Sequence, residues 1–204
     1  MNEPLMNRSQ VVTRFAEPVL ESQRLFRTFL RVMAEPGRLQ SFSLPTIPVS
    51  PLSPATVAIC LTLLDYETPI WVQPLLRNLQ VMDFLRLYCG CPITEDPRRA
   101  RFALIGDPQT MPAFSAFNTD ESEYLDRSTT LIIQVLALEE AGGPQLSGPG
   151  AATGGLLVTG VERNFWNQWH VNRRLSPGVD IVFAATDRIA ALPRTTRVER
   201  PVCI

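Results

Sequence analysis

The sequence predicts a three-layer α/β/α fold on a mixed sheet, in one domain spanning residues 1–204. Three observations carry this. Helical and strand-like segments alternate through the first half, which is the signature of an α/β layer architecture. Strands dominate the second half and close with two apolar runs, Val179–Ala184 and Ile189–Leu192, near enough to pair. Leu131–Leu138 is apolar except at Gln134, the pattern of a strand covered on both faces and so of a sheet centre. A chain of 204 residues with 45% hydrophobic and 19% charged side chains has the profile of a soluble globular domain.

Each element follows from local pattern. Pro18–Ala34 has helical periodicity: Leu25, Phe26, Phe29, Leu30, Val32 and Met33 make an apolar face, and Glu21, Arg24, Arg27 and Arg31 face water. Pro36-Gly37 stops it. Leu39, Phe42 and Leu44 suggest a short strand, followed by a stiff proline-rich loop through Pro54. Ser53-Pro54 is an N-cap followed by proline in the first turn, opening a helix to about Leu64 that is apolar on most sides and hence buried. Asp65–Thr68 turns the chain into a strand over Pro69–Gln73. A second apolar helix covers Leu79–Tyr88. Strands are predicted at Arg101–Ile105, Thr130–Leu138 and Leu156–Thr159, and a helix at Val161–Arg174 with Trp166 and Trp169 on one face. The closing strand pair turns near Thr186-Asp187. Gly106–Ser128 and Ala141–Gly155 read as loops.

Composition excludes whole classes of chemistry. The 19 basic residues are all arginine, against 20 acidic ones, for a net charge of -1. Such a balance gives no electrostatic footprint for nucleic acid or an anionic membrane. Without lysine there is no pyridoxal phosphate Schiff base, no Walker A loop and no Ser-Lys dyad. A single histidine, His170, excludes HExxH zinc hydrolases. Cys89-Gly90-Cys91 is a C-x-C, not a C-x-x-C, and with Cys60 and Cys203 it lacks the ligand spacing of a structural zinc site. The C-x-C thiols read as reactive if a neighbour such as Arg86 depresses their pKa, and as inert core thiols otherwise. Met1–Phe15 has no apolar signal segment, and Val57–Leu64 is too short to span a bilayer. These features point to a reduced, cytoplasmic setting, with no cofactor and no metal.

Two polar clusters are candidate sites. Arg194-Thr195-Thr196-Arg197 places two guanidinium groups and two hydroxyls together. Arginine forks match phosphate or carboxylate oxygens in bidentate fashion, so the cluster can grip an oxyanion or a partner's carboxylate. It can equally dock the chain end onto the body through ion pairs. Asp65 and Glu67, beside Thr68, can hold a divalent metal or act as acid and base, or form a solvated turn in which Asp65 caps backbone groups. Gly148–Gly155 does not fit G-x-G-x-x-G, because Thr153 occupies the last glycine position, and reads as a turn. No nucleophile–base constellation stands out, which fits a subunit or binding protein better than a self-sufficient enzyme.

Several ordered motifs together resemble a known family. They are the segment from Phe26 to Gly37 ending in Ala34-Glu35-Pro36-Gly37, Leu61 to Trp71, Thr130 to Val135, Leu146-Ser147-Gly148-Pro149-Gly150, Pro177-Gly178-Val179-Asp180, and Ala191 to Val198 around Pro193-Arg194-Thr195-Thr196-Arg197. In these the chain resembles PhnH, the H subunit of the bacterial carbon–phosphorus lyase system for phosphonate use. The resemblance implies a fold like the large domain of pyridoxal phosphate-dependent transferases, without that cofactor. It implies a homodimer that joins G, I and J subunits in a core complex. That complex converts ATP and an alkylphosphonate into a ribose 1-phosphonate 5-triphosphate with release of adenine. It assigns no catalytic residue to this subunit. A stand-alone small-molecule or nucleotide-binding enzyme using Asp65, Glu67 and a divalent metal is the alternative. The chain departs from the family pattern at Arg86-Leu87-Tyr88, where Arg-Phe-His is common. In the acidic loop Asp120–Asp126 only Glu123 matches, and Gly90-Cys91-Pro92 stands where Gly-Ala-Pro is usual.

Overall fold

The computed structural model describes residues 18–42, 48–119, 128–175 and 178–199. The chain-end segments, the acidic loop Asp120–Asp126, Leu44 and Cys203 lie outside them. The fold is α/β on a mixed sheet of seven strands. In chain order the main elements are α1 (Pro18–Ala34), β1 (Gln40–Ser41), α2 (Pro54–Leu63), β2 (Ile70–Val72), α3 (Leu79–Phe84), β3 (Ile93–Thr94), β4 (Phe102–Ile105) and β5 (Thr130–Gln134). There follow β6 (Ala137–Glu139), β7 (Leu146–Ser147), β8 (Leu157–Thr159), α4 (Arg163–Leu175), β9 (Asp180–Ala185), β10 (Arg188–Leu192) and β11 (Arg197–Val198).

The sheet runs β1-β10-β9-β5-β4-β2-β3. β3, β2, β4, β5 and β9 are parallel, and β10 and β1 add to one edge antiparallel. β5 occupies the middle, as its apolar run predicts. Alternation along each strand feeds two cores. Ile132, Val182, Leu104 and Val72 face α1, α2 and α3; Leu131, Ile133, Ile181 and Phe183 face α4 and the small strand pairs. Each fully buried Leu, Ile or Phe contributes about 1.5–3 kcal/mol of transfer free energy. In the second core Phe114 meets Phe165 and Trp169 edge-on, with ring centroids 5.2 and 5.9 Å apart.

Local signals place most elements. Ser53 caps α2 by accepting from the Thr56 N–H, and Pro54 fills the first turn. The predicted strand Thr130–Leu138 is two strands, β5 and β6. Val135 still bonds to Ala184, but Leu136 is 77% exposed and β6 pairs with β8 in a separate ribbon. The cause is tertiary: β9 ends at Ala185, so the backbone beyond Val135 has no partner in the main sheet and takes one elsewhere. The predicted helix Leu79–Tyr88 is α3 followed by a π-helical turn, Leu85–Cys89, capped by Gly90 at φ 67°. On α1, Phe26 and Leu30 are exposed although the periodicity puts them on the apolar face. That face is wider than the surface beneath it, which takes Leu25 and Val32 fully.

Candidate functional site

The end of the sheet where the parallel strands begin gathers the motifs. Ile70, Phe102, Thr130 and Asp180 stand in one row across β2, β4, β5 and β9. β10 returns to this edge, pairing Leu192 with Ile181, and delivers Arg194 beside Asp180. Arg194 donates its backbone N–H to Asp180 Oδ1 at 2.8 Å and its Nη2 to Oδ2 at 2.6 Å; Nε lies 3.2 Å from both oxygens. The side chains are 20% and 13% exposed, so this is a largely buried, bidentate, charge-assisted pair. An acidic residue opening a strand that is apolar throughout needs such a partner, because an unpaired buried charge is costly.

The rest of the arginine cluster divides by burial. Thr196 turns back on Pro193 through a 2.8 Å backbone bond and is 1% exposed, with its Oγ1 unpaired among the described residues. Thr195 and Arg197 are exposed. Arg197 belongs to β11, which pairs antiparallel with β7: Arg197 opposite Ser147, Val198 opposite Leu146.

This strand pair interlocks with the end of α1. Gly150 has φ 69°, and a Cβ there would lie 1.9 Å from the Ala34 carbonyl oxygen. Ala152 donates to the Pro36 carbonyl at 2.9 Å. Gly37, at φ 88°, leaves room for Leu146. The close approach to the Ala34 carbonyl is possible only because position 150 is glycine, and the left-handed backbone at position 37 favours glycine as well. Ala34–Gly37, Leu146–Gly150, Asp180 and Pro193–Arg197 are far apart in sequence and form one contiguous unit.

Asp65, Glu67 and Thr68 stand at the same end of the sheet but not in that unit. They precede β2, three strands from β9, hence about 14 Å away at the usual strand spacing. The turn satisfies itself: Thr68 Oγ1 accepts from the Asp65 N–H at 2.7 Å and donates to the Asp65 carbonyl at 2.9 Å, and Asp65 Oδ1 accepts from the Glu67 N–H at 2.9 Å. Asp65 and Glu67 are exposed, and no group of three or more His, Cys, Asp or Glu side chains among the described residues is arranged to hold a metal. His170 is half-buried on α4. The glycine-rich stretch is a turn, as its sequence predicts; the strand β8 follows it, not a helix.

The opposite end of the sheet is where open α/β folds usually bind ligands, at the point where strand order reverses. Here that point lies between β2 and β4, and Gln73 fills it. Its Oε1 accepts from the Gly106 and Asp107 N–H groups at 2.8 and 2.9 Å; its Nε2 donates to the Asp107 carbonyl and Thr110 Oγ1 at 3.0 and 3.2 Å. Leu76 packs so closely that a Cβ on Gly106 would lie 2.7 Å from it. Alongside, Gln134 accepts from the Ser53 N–H at 2.6 Å and from Thr56 Oγ1 at 3.1 Å, which occupies the start of α2. Gln73, Gln134 and Asp180 are the residues that sequence reasoning passed over as site determinants. Their signal is a polar side chain in or beside an otherwise apolar strand.

The family described as bacterial phosphonate metabolism protein (PhnH) matches residues 13–199, a span containing every segment of the interlocked unit. The chain is 36% identical over 189 residues to the alpha-D-ribose 1-methylphosphonate 5-triphosphate synthase subunit PhnH of Rhizobium meliloti (strain 1021), covering 91% of this chain and 94% of that protein. A match of that length, with the motifs meeting in one place, settles descent: the chain belongs to the PhnH family of bacterial phosphonate metabolism proteins.

Proposed function

We propose that this chain is a subunit of an α-D-ribose 1-methylphosphonate 5-triphosphate synthase and serves it by assembly or by binding rather than by catalysis on its own. The observation that carries the reading is the near full-length relation to a subunit so named. Two features of the fold support it. The strand-order crevice is filled by Gln73 and Leu76. The guanidinium of Arg194 is spent on Asp180, leaving Thr195 and Arg197 as the solvent-facing members of the cluster.

In this reading Arg194 and Thr196 fix the loop, and Thr195 and Arg197 meet an oxyanion, either a phosphonate or triphosphate intermediate or a carboxylate of another subunit. The exposed Phe26 and Leu30 on α1 suit burial against a partner. The partners proposed are a second copy of the chain and the G, I and J subunits, in the cytoplasm. The sheet is taken as a relative of the large domain of pyridoxal phosphate-dependent transferases, working without the cofactor; the absence of lysine supports that.

Co-expression with the G, I and J subunits tests the proposal. The chain should co-purify with them, and formation of the ribose phosphonate triphosphate should depend on it. Failure to co-purify, with product formed equally well without it, overturns the reading.

A further inference from the structure

One edge of the main sheet keeps backbone groups open. β1 is the outermost strand there, next to β10. Gln40 stands opposite Ile189 and Ser41 opposite Arg188, and the Phe42 N–H donates to the Asp187 carbonyl at 2.7 Å. In an antiparallel pair, residues that exchange bonds with the neighbour alternate with residues whose N–H and C=O point away. Gln40 and Phe42 turn towards β10, so Leu39 and Ser41 turn outward. The Leu39 N–H fits this phase: it donates to Glu140 Oε1 at 2.8 Å, off the sheet. Ser41 is exposed, and its backbone N–H and C=O have no partner among the described residues. The same alternation sets the faces. Ile189 belongs to the first core and Ala190 to the second, so Ser41 and Arg188 stand on the face of the second core. A cavity of about 540 Å³ lies there, between β1 and β6. Its charged lining is Glu139, Glu140, Asp187 and Arg188, all exposed: three carboxylates against one guanidinium.

We propose that this edge docks an extended segment of a partner protein, added to the sheet beside β1, with a basic side chain in the cavity. The incoming backbone donates to the Ser41 carbonyl and accepts from the Ser41 N–H. Side chains alternate along a strand, so every second one falls on the cavity face. Lysine or arginine at that position meets the surplus of carboxylate, which selects a basic segment over an acidic one. The occupant is not a second copy. A two-fold contact sets a surface against itself, and here it would bring the same carboxylates face to face. Pairing stops at Leu39, whose N–H the Glu140 carboxylate already holds. β1 has two residues and offers few backbone bonds, so the charged cavity supplies the selectivity. The proposal stands on this edge and its charges, and not on the role proposed for Arg197.

The test uses the purified full-length chain and a labelled peptide of about eight residues, within the usual length of a strand, alternating valine and lysine. Binding is read by fluorescence anisotropy. The peptide should bind saturably, and less well as salt rises. A peptide alternating valine and glutamate should not bind. Ser41→Pro removes the outward N–H and no bond to β10, a change that edge strands tolerate. It should weaken binding by about tenfold, the value of roughly one hydrogen bond, whereas Ser41→Ala should bind like the parent. Glu139→Lys with Asp187→Lys should abolish the preference for lysine over glutamate. Equal binding of the two peptides to the parent, or no saturable binding below ~1 mM, overturns the proposal. Undiminished binding by a folded Ser41→Pro chain does so too. Should that variant not fold, the lysine peptide methylated at its backbone nitrogens puts the same question to the parent, and undiminished binding again overturns the proposal. Loss of self-association in Ser41→Pro, measured by sedimentation, would assign the edge to a second copy and overturn it as well.

Discussion

Asp180→Ala should lower stability in urea unfolding by about 3 kcal/mol, because it leaves the Arg194 guanidinium largely buried without its carboxylate. The paired change Asp180→Leu with Arg194→Met should cost less than either single loss, since removing both charges leaves nothing uncompensated. If the double variant were as damaged as the sum of the singles, the pair would not be the unit described. The arginine cluster was legible in sequence; its division of labour was not. Four adjacent polar side chains look alike along the chain, and only the β9–β10 register brings an acidic residue to the first of them. Asp180 itself carried a signal, a lone carboxylate opening an apolar strand, but the identity of its partner depended on a contact 14 residues on.

At the level of elements, glycine positions separate close packing from turn geometry. Gly150→Ala should destabilise strongly, by at least the ~1–2 kcal/mol of a left-handed L-residue, with a clash against the Ala34 carbonyl added to it. Gly90→Ala should cost about 1 kcal/mol only, because its φ is similar but its surroundings are empty. Thermal melts of the two variants side by side check the difference, and equal losses would mean that α1 and the β7 loop are not pressed together as described. The helices and most strands were readable from periodicity and caps, as Ser53-Pro54 shows. The division of Thr130–Leu138 was not, because it depends on where β9 stops, and nothing within the segment records the length of its neighbour. The motifs of the resemblance lie far apart along the chain, and their meeting in space comes from the contacts at Gly37 and Gly150, the β7–β11 pairing and the Asp180–Arg194 pair.

For the molecule as a whole, Arg197→Ala is the informative change. Arg197 is exposed and outside both cores, so the variant should fold with a melting temperature within about 2 °C of the parent. Co-purification with the other subunits, or product formation by their mixture, should fall. Retention of both at the parental level would move the contact surface away from this cluster. Composition motivates the proposal: a chain with arginine as its sole strong cation and one imidazole suits gripping anions and neighbouring proteins. The filled crevice was less legible: Gln73 is a polar side chain ending an apolar strand just before Pro74, but its partners lie beyond β4 and only the fold brings them to it. Gln73→Leu should cost about 2 kcal/mol or more by stranding the Gly106 and Asp107 N–H groups, as denaturant unfolding would show.

That same glutamine bears on inhibitor design. The notch between β2 and β4, normally the first place a medicinal chemist would aim in an open α/β sheet, is already taken by an amide making four hydrogen bonds to its own walls. A compound library run against the lone polypeptide has little to gain there, because each hit must first evict that tenant. On the function proposed above, the exposed rim around Arg197 is the better target.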